Sequence, residues 1–317
     1  MKKLIILLVV CLSVALFLVY AQAPSEVSAP PVEPSAEPNL PDSDGDGMSD
    51  WFEENIAGYD PAVPNDRYFI YCEYLPETER ELGIEFNLTW QILVEENGIP
   101  SQNVLRLTNG EATRSNLQKA IEEIALRADD NDIVFVRLLG HASTELILCC
   151  YDGAIFYSEL DKWLDEIKAK AVIITVNGCQ AEGAASILND GPCPRIVLTG
   201  GFSMEGFYNK ETADKYPWLP TYNDYGYDNP DPAVDYNDIF FGFADKIGGN
   251  GDGYVSIGEL ITVLKEDVEA RWNTEEWRDI TYYPWWDVAR DEYGIADRIY
   301  LIEHSPKENI FWEAFNS

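Results

Sequence analysis

The chain has 317 residues, with 22 Lys and Arg against 56 Asp and Glu, a formal net charge of −34, and only 2 His. With 46% hydrophobic and 13% aromatic residues it can bury a sizeable core, which excludes a disordered polyelectrolyte. The excess of acid excludes a nucleic-acid binder, which needs a basic stripe to displace phosphate counterions, and its self-repulsion is of the kind that bound divalent cations relieve.

The chain starts Met1-Lys2-Lys3 and runs apolar from Leu4 to Tyr20, ending in the small-residue site Val19-Tyr20-Ala21. This reads as a secretory signal peptide over residues 1–21, so the expected location is secreted or at the extracellular surface. The 17-residue apolar run is short for a span, and membrane attachment is expected only if the segment is kept as an anchor. Residues 22–41 hold six prolines among Ser, Ala and Glu and read as an extended linker.

The run Asp42-Ser43-Asp44-Gly45-Asp46-Gly47-Met48-Ser49-Asp50-Trp51-Phe52-Glu53 follows. Asp42, Asp44, Asp46, Asp50 and Glu53 fall at positions 1, 3, 5, 9 and 12 of a calcium loop. Gly47 occupies the sharp turn at position 6, and Met48 offers its carbonyl at position 7. A hard cation wants six to eight oxygens on a flexible loop, so Ca²⁺ is the expected cofactor. Continuing through Gly58-Tyr59-Asp60-Pro61, residues 42–65 resemble the thrombospondin type 3-like calcium repeats.

From residue 66 to 317 short apolar runs alternate with amphipathic stretches. Expected strands are Tyr68–Tyr74, Val104–Leu107, Ile133–Leu139, Val172–Val176 and Ile196–Thr199, with a further one at Ile299–Ile302. Expected helices are Leu88–Glu96, Ser115–Ala128, Tyr157–Lys168 and Gly183–Leu188. Strands that are apolar along their length fit an α/β fold, a mostly parallel sheet covered by helices on both faces.

Sites in such sheets lie beyond the carboxyl ends of the strands. The run Ile133–Leu139 leads into Gly140-His141-Ala142, and Val172–Val176 into Asn177-Gly178-Cys179-Gln180. If the two strands are neighbours, His141 and Cys179 meet at one edge as base and nucleophile. An imidazole favours the thiolate and can later protonate a leaving amine. The backbone amides of Ala142 and Cys179 are the expected oxyanion donors. Without the signal segment the chain keeps Cys72, Cys149, Cys150, Cys179 and Cys193, an odd number, so at least one thiol stays out of any intramolecular disulfide. A rival serine-hydrolase reading, with Ser203 in Gly201-Phe202-Ser203-Met204-Glu205 and His304 as base, lacks the glycine its elbow needs at Glu205.

A second calcium loop matches at Asn250, Asp252, Tyr254 (carbonyl), Ser256 and Glu259. Its first position is Gly248, and Asp245 could replace the missing ligand if the two glycines let the loop bulge. This EF-hand-like loop spans 245–259.

The two strand-end motifs resemble those of the clan CD cysteine peptidases: caspases, metacaspases, legumains and gingipains. The resemblance runs over about residues 66–270 and implies a caspase-like three-layer α/β sandwich. The expected activity is cysteine endopeptidase action on a protein or peptide substrate, through a thioester acyl-enzyme. It further implies that Asn177, two residues before the cysteine, lines the substrate pocket, and Glu205 leans the preference towards a basic side chain. Ala142 departs from the family's glycine and Asn177-Gly178 from its acidic-Ala pair. Those departures suit two alternatives, a catalytically decayed calcium-binding surface module or a transpeptidase of the same chemistry.

Overall fold

A computed structural model describes residues 40–74, 89–178, 180–200, 245, 249–262 and 288–303. Cys179, Ser203, Glu205 and His304 lie outside the described residues, as does the signal segment. Among the described residues no helix is long and apolar enough to cross a membrane.

In chain order the strands are β1 (Arg67–Glu73), β2 (Val104–Thr108), β3 (Ile133–Leu139), β4 (His141–Ala142), β5 (Leu146–Cys150) and β6 (Gly153–Phe156). They continue with β7 (Ala171–Asn177), β8 (Arg195–Gly200), β9 (Val255–Ser256), β10 (Val288–Arg290) and β11 (Tyr300–Ile302). A six-stranded sheet runs β10-β8-β7-β3-β1-β2. Every pairing in it is parallel except β10 with β8. The α/β expectation of a mostly parallel central sheet is met.

β1, β3 and β7 are buried at every position, because both faces of the sheet are covered. The period of two sends alternate side chains to opposite cores. Phe69, Tyr71, Ile133, Phe135 and Ile173 join Ile92, Leu93, Val255, Ile257, Leu260 and Ile299 on one side. Tyr68, Ile70, Val134, Val136, Val172 and Ile174 join the helices α2 (Arg114–Arg127), α3 (Tyr157–Leu164) and α4 (Glu182–Ile187) on the other. Three layers result. Helix α1 (Asp50–Phe52) widens into a π-helix at Glu53–Ala57, and a second π-helix spans Gln91–Glu96.

Helix α2 shows how local sequence fixes an element. Thr113 caps it by accepting from the Asn116 amide at 3.1 Å, and Leu117, Ala120, Ile121 and Ile124 bury one face. The strand at 299–302 also forms, but in a separate two-stranded ladder with β9 rather than in the main sheet. A further small sheet, β4-β5-β6, is a hairpin extension that periodicity alone does not announce.

The core holds charge. Arg137 on β3 pairs with Glu73 on β1 at 2.7 Å, both side chains 1% exposed. Arg195 on β8, fully buried, reaches Asp161 on α3 at 2.7 Å and Asp165 just after it at 2.8 Å, which ties the sheet to its helical layer. Removing one partner of a buried pair strands the other charge. Arg137→Met is therefore expected to cost roughly 3–5 kcal/mol. Arg137→Met with Glu73→Leu should recover most of that loss; denaturant midpoints of both variants check it.

Candidate active site and acidic loops

β3 and β7 are neighbours and end level, with Leu139 opposite Asn177. The Gly140 amide then donates to the Asn177 carbonyl at 3.0 Å, so the hydrogen-bonded ladder outlasts the strands by one step. Beyond it the two backbones touch. A methyl group on Gly178 would lie 2.3 Å from the Gly140 carbonyl oxygen, 2.6 Å from Ala142 Cβ and 3.2 Å from the Ala142 nitrogen. Only glycine fits there. Gly140 is equally enclosed, with the Leu148 carbonyl oxygen 2.1 Å from where its Cβ would be.

His141 follows at once and is exposed; it lies opposite Leu148 in the β4–β5 pair. Ser143 closes that hairpin by donating its amide to Leu146 O at 2.9 Å. On the other strand end, Gln180 has a left-handed φ of 60° and Ala181 is buried. Gly183 in α4 packs so tightly on the hairpin turn that a Cβ would meet Thr144 O at 1.8 Å. The residues on either side of position 179 are thus pressed against the hairpin that bears His141. Asn177 is buried, within the strand-end joint. Ala142 is half-buried with its nitrogen towards Gly178.

The first acidic loop folds around its own carboxylates. Asp42 accepts from the amides of Gly45 (2.7 Å) and Gly47 (3.1 Å). Asp46 accepts from Met48 (2.7 Å) and Asn65 (2.8 Å). Gly47, at φ 86°, passes so near Gly98 that a Cβ would sit 2.7 Å from its carbonyl oxygen. One oxygen from each of Asp42, Asp44 and Asp46 lies within 4.8 Å of the others. Glu53 is fully buried; one carboxylate oxygen takes a 3.3 Å bond from Asn65 Nδ2 and the other has no hydrogen-bond partner among the described residues. Burial first, then the charges of Asp46, Asp44, Asp42 and Asp50, pushes Glu53 up to about 8. Burial likewise raises Asp46 to about 6, against the pull of Arg67. Asp50 accepts from the Ser43 amide and hydroxyl, both at 2.7 Å, and the Met48 side chain is buried. A buried carboxylate oxygen with no donor, beside three converging aspartates, suits a hard cation.

The second loop repeats the device with an offset. Asp245 accepts from Gly251 (2.6 Å) and Gly253 (3.0 Å), as Asp42 does from its two glycines. Oxygens of Asp245, Asp252 and Glu259 lie within 4.8 Å of one another, so Asp245 stands where the sequence lacks a first ligand at Gly248. Asn250 accepts from the Asp252 amide at 2.8 Å, and Tyr254 donates its amide to Asp252 at 2.9 Å. Ser256 and Glu259 also form a reciprocal cap: the Ser256 amide donates to Glu259 at 2.9 Å, and the Glu259 amide to Ser256 Oγ at 3.2 Å. That cap opens a helix over 257–262.

The loops pack on each other. Phe52 lies with ring centroids 5.0 Å from Tyr254 and 5.3 Å from Tyr300, the latter edge to face. Glu303 accepts from the Ser49 amide (2.8 Å) and hydroxyl (2.5 Å).

No protein-family model and no curated protein matches the chain. Among solved structures it is similar to pro-sf-caspase-1, at 11% identity and a TM-score of 0.43, covering 71% of this chain and 90% of that one. The chemistry therefore has to be read from this chain's own residues.

Two outcomes are expected. Gly178→Ala forces a methyl into backbone at the strand-end joint and should lower stability by about 1–3 kcal/mol, read by thermal or denaturant melting. In the presence of a chelator, melting temperature should fall as pH rises from about 4.5, where an unfolded Glu ionises, to about 8, where folded Glu53 does. The raised value means the protonated form is the one the metal-free fold favours. Glu53→Gln should flatten that fall.

Proposed function

We propose that the chain is an exported, calcium-binding cysteine endopeptidase that works through His141 and Cys179. The observation that carries the catalytic reading is the closed joint between β3 and β7: Gly140 and Gly178 bring the two strand ends into backbone contact. Cys179 follows Gly178 in the chain and His141 follows Gly140, which supports reading the two as partners at that joint.

In this reading the Cys179 thiolate attacks the scissile carbonyl, and the Ala142 and Cys179 amides hold the resulting oxyanion. The imidazolium of His141 gives its proton to the departing amine, leaving a thioester. A water, deprotonated by His141, then adds to the thioester and releases the acid. The exposure of His141 leaves it open to a substrate, and the Ala142 nitrogen lies on the Gly178 side of its strand. Asn177 and Glu205 remain the proposed pocket residues.

Calcium would be held in the first loop by Asp42, Asp44, Asp46, Asp50 and Glu53 with the Met48 carbonyl. In the second it would be held by Asp245, Asn250, Asp252, Ser256 and Glu259 with the Tyr254 carbonyl. Bound there, it supplies positive charge to a loop that otherwise gathers carboxylates against one another. The orphan oxygen of buried Glu53 supports this most directly.

A thiol-reactive peptidyl probe tests the catalytic half. Labelling of the wild type in calcium, lost in Cys179→Ala and lowered at least 100-fold in His141→Ala, is the expected result; equal labelling of wild type and Cys179→Ala ends the proposal. Calorimetry tests the other half. Ca²⁺ should bind with heat and raise the melting temperature, and identical melts in calcium and in EDTA would remove the cation sites while leaving the dyad standing.

A further inference from the structure

Three of the cysteines that the parity count leaves open converge in the core, two of them on the strand that pairs with the one bearing His141. Cys72 lies on β1, and Cys149 and Cys150 close β5. All three are fully buried. Cys150 Sγ stands 3.7 Å from Cys72 Sγ and 4.0 Å from Cys149 Sγ, and the three sulfurs lie within 4.8 Å of one another. Cys193 takes no part; its thiol donates to the Ile167 carbonyl at 3.7 Å.

These separations differ from those of a disulfide, whose sulfurs are bonded at about 2.05 Å. They match thiolates sharing one ion. Sulfurs held about 2.3 Å from a common metal stand roughly 3.8 Å apart in tetrahedral and 4.0 Å in trigonal array. A second observation comes from the same core cluster. The Tyr157 hydroxyl, packed in the cluster that holds Cys72, Cys149 and Cys150, is buried and has no hydrogen-bond partner among the described residues.

We propose that Cys72, Cys149 and Cys150 form a buried site for one thiophilic d¹⁰ cation, with the Tyr157 hydroxyl as the available fourth donor. Thiolates select such soft ions, Zn²⁺ or Cu⁺, over the hard cations suited to the acidic loops. On binding, each sulfur that is still a thiol gives up its proton to solvent and forms a bond to the metal, with no change of oxidation state. Among the described residues no His or carboxylate joins the three sulfurs, so the fourth position falls to a neutral oxygen or stays empty. That choice separates the two ions: four donors favour Zn²⁺, and three suffice for Cu⁺. Because the sulfurs are closed off from solvent, the ion has to be taken up while the chain folds. The site would pin the hairpin that carries His141 to the central sheet, since β4 pairs with β5, which ends in two of the ligands.

The test uses the full chain in a Cys179→Ala background, reduced and refolded under anaerobic conditions with either Zn²⁺ or Cu⁺, then desalted. One equivalent of metal per chain is expected, retained in Cys193→Ser and lost in Cys72→Ser and Cys149→Ser. Tyr157→Phe should weaken Zn²⁺ retention at least tenfold and leave Cu⁺ retention unchanged if the phenol is the fourth ligand of zinc. Alkylation mapped by mass spectrometry covers variants that fail to fold: in the loaded wild type Cys72, Cys149 and Cys150 should be protected and become reactive when a chelator is added in denaturant. Metal retention equal in wild type and Cys72→Ser, no retention at all, or a Cys72–Cys150 disulfide in the protein as isolated would each overturn the proposal.

Discussion

Two adjacent parallel strands that stop at the same level govern the upper edge of this molecule. Parallel pairing of β3 and β7 brings Leu139 and Asn177 side by side, and the Gly140 amide carries the ladder one bond further. Gly178 could not carry a side chain without entering the backbone at Gly140, nor Gly140 one without entering the backbone of β5 at Leu148. The chain therefore leaves the sheet twice through one narrow gap, and whatever follows each glycine starts from the same place. A hairpin on one side and the short α4 on the other enclose that place, joined where Gly183 meets Thr144.

Charge is handled in two distinct ways. In the sheet, arginines are buried with carboxylate partners, as Arg137 with Glu73 and Arg195 with Asp161 and Asp165. Each such pair offsets its own desolvation by short charge-assisted hydrogen bonds. In the loops carboxylates are gathered instead, and their short contacts are mostly to backbone amides, those of Asp42 and Asp245 being presented by glycines. Burial first, and then the neighbouring carboxylates, push Glu53 upwards, and burial does the same to Asp46 against the pull of Arg67, whereas buried Arg137 is paired with Glu73. That contrast makes the loops, and not the sheet, the part of the fold responsive to ionic conditions.

Much of the scaffold was legible in the sequence because the apolar runs are long and buried on both faces. Ile133–Leu139 is one such run, and its neighbour in sequence pattern, Val172–Val176, turned out to be its neighbour in space. The spacing of acids also announced two clusters of carboxylates, and Asp245, three residues before the unmatched first position at Gly248, joins the second of them. The β4-β5-β6 sheet was not legible: its strands are two to five residues long, too short for a period to register. Nor was the meeting of Cys72 with Cys149 and Cys150, since contact across 78 positions depends on tertiary packing that spacing does not encode. The aromatic contact of Phe52 with Tyr254 and Tyr300 is hidden for the same reason.

That last contact has a consequence for how the protein can be taken apart. A short acidic loop placed before a sheet domain invites treatment as a detachable module, to be trimmed or grafted elsewhere. Here Phe52 packs against aromatic rings more than two hundred positions later, and Ser49 gives buried Glu303 two hydrogen bonds. Excising the loop would uncover aromatic surface and take two donors from a buried carboxylate late in the chain, so its borders in sequence are not seams in the fold.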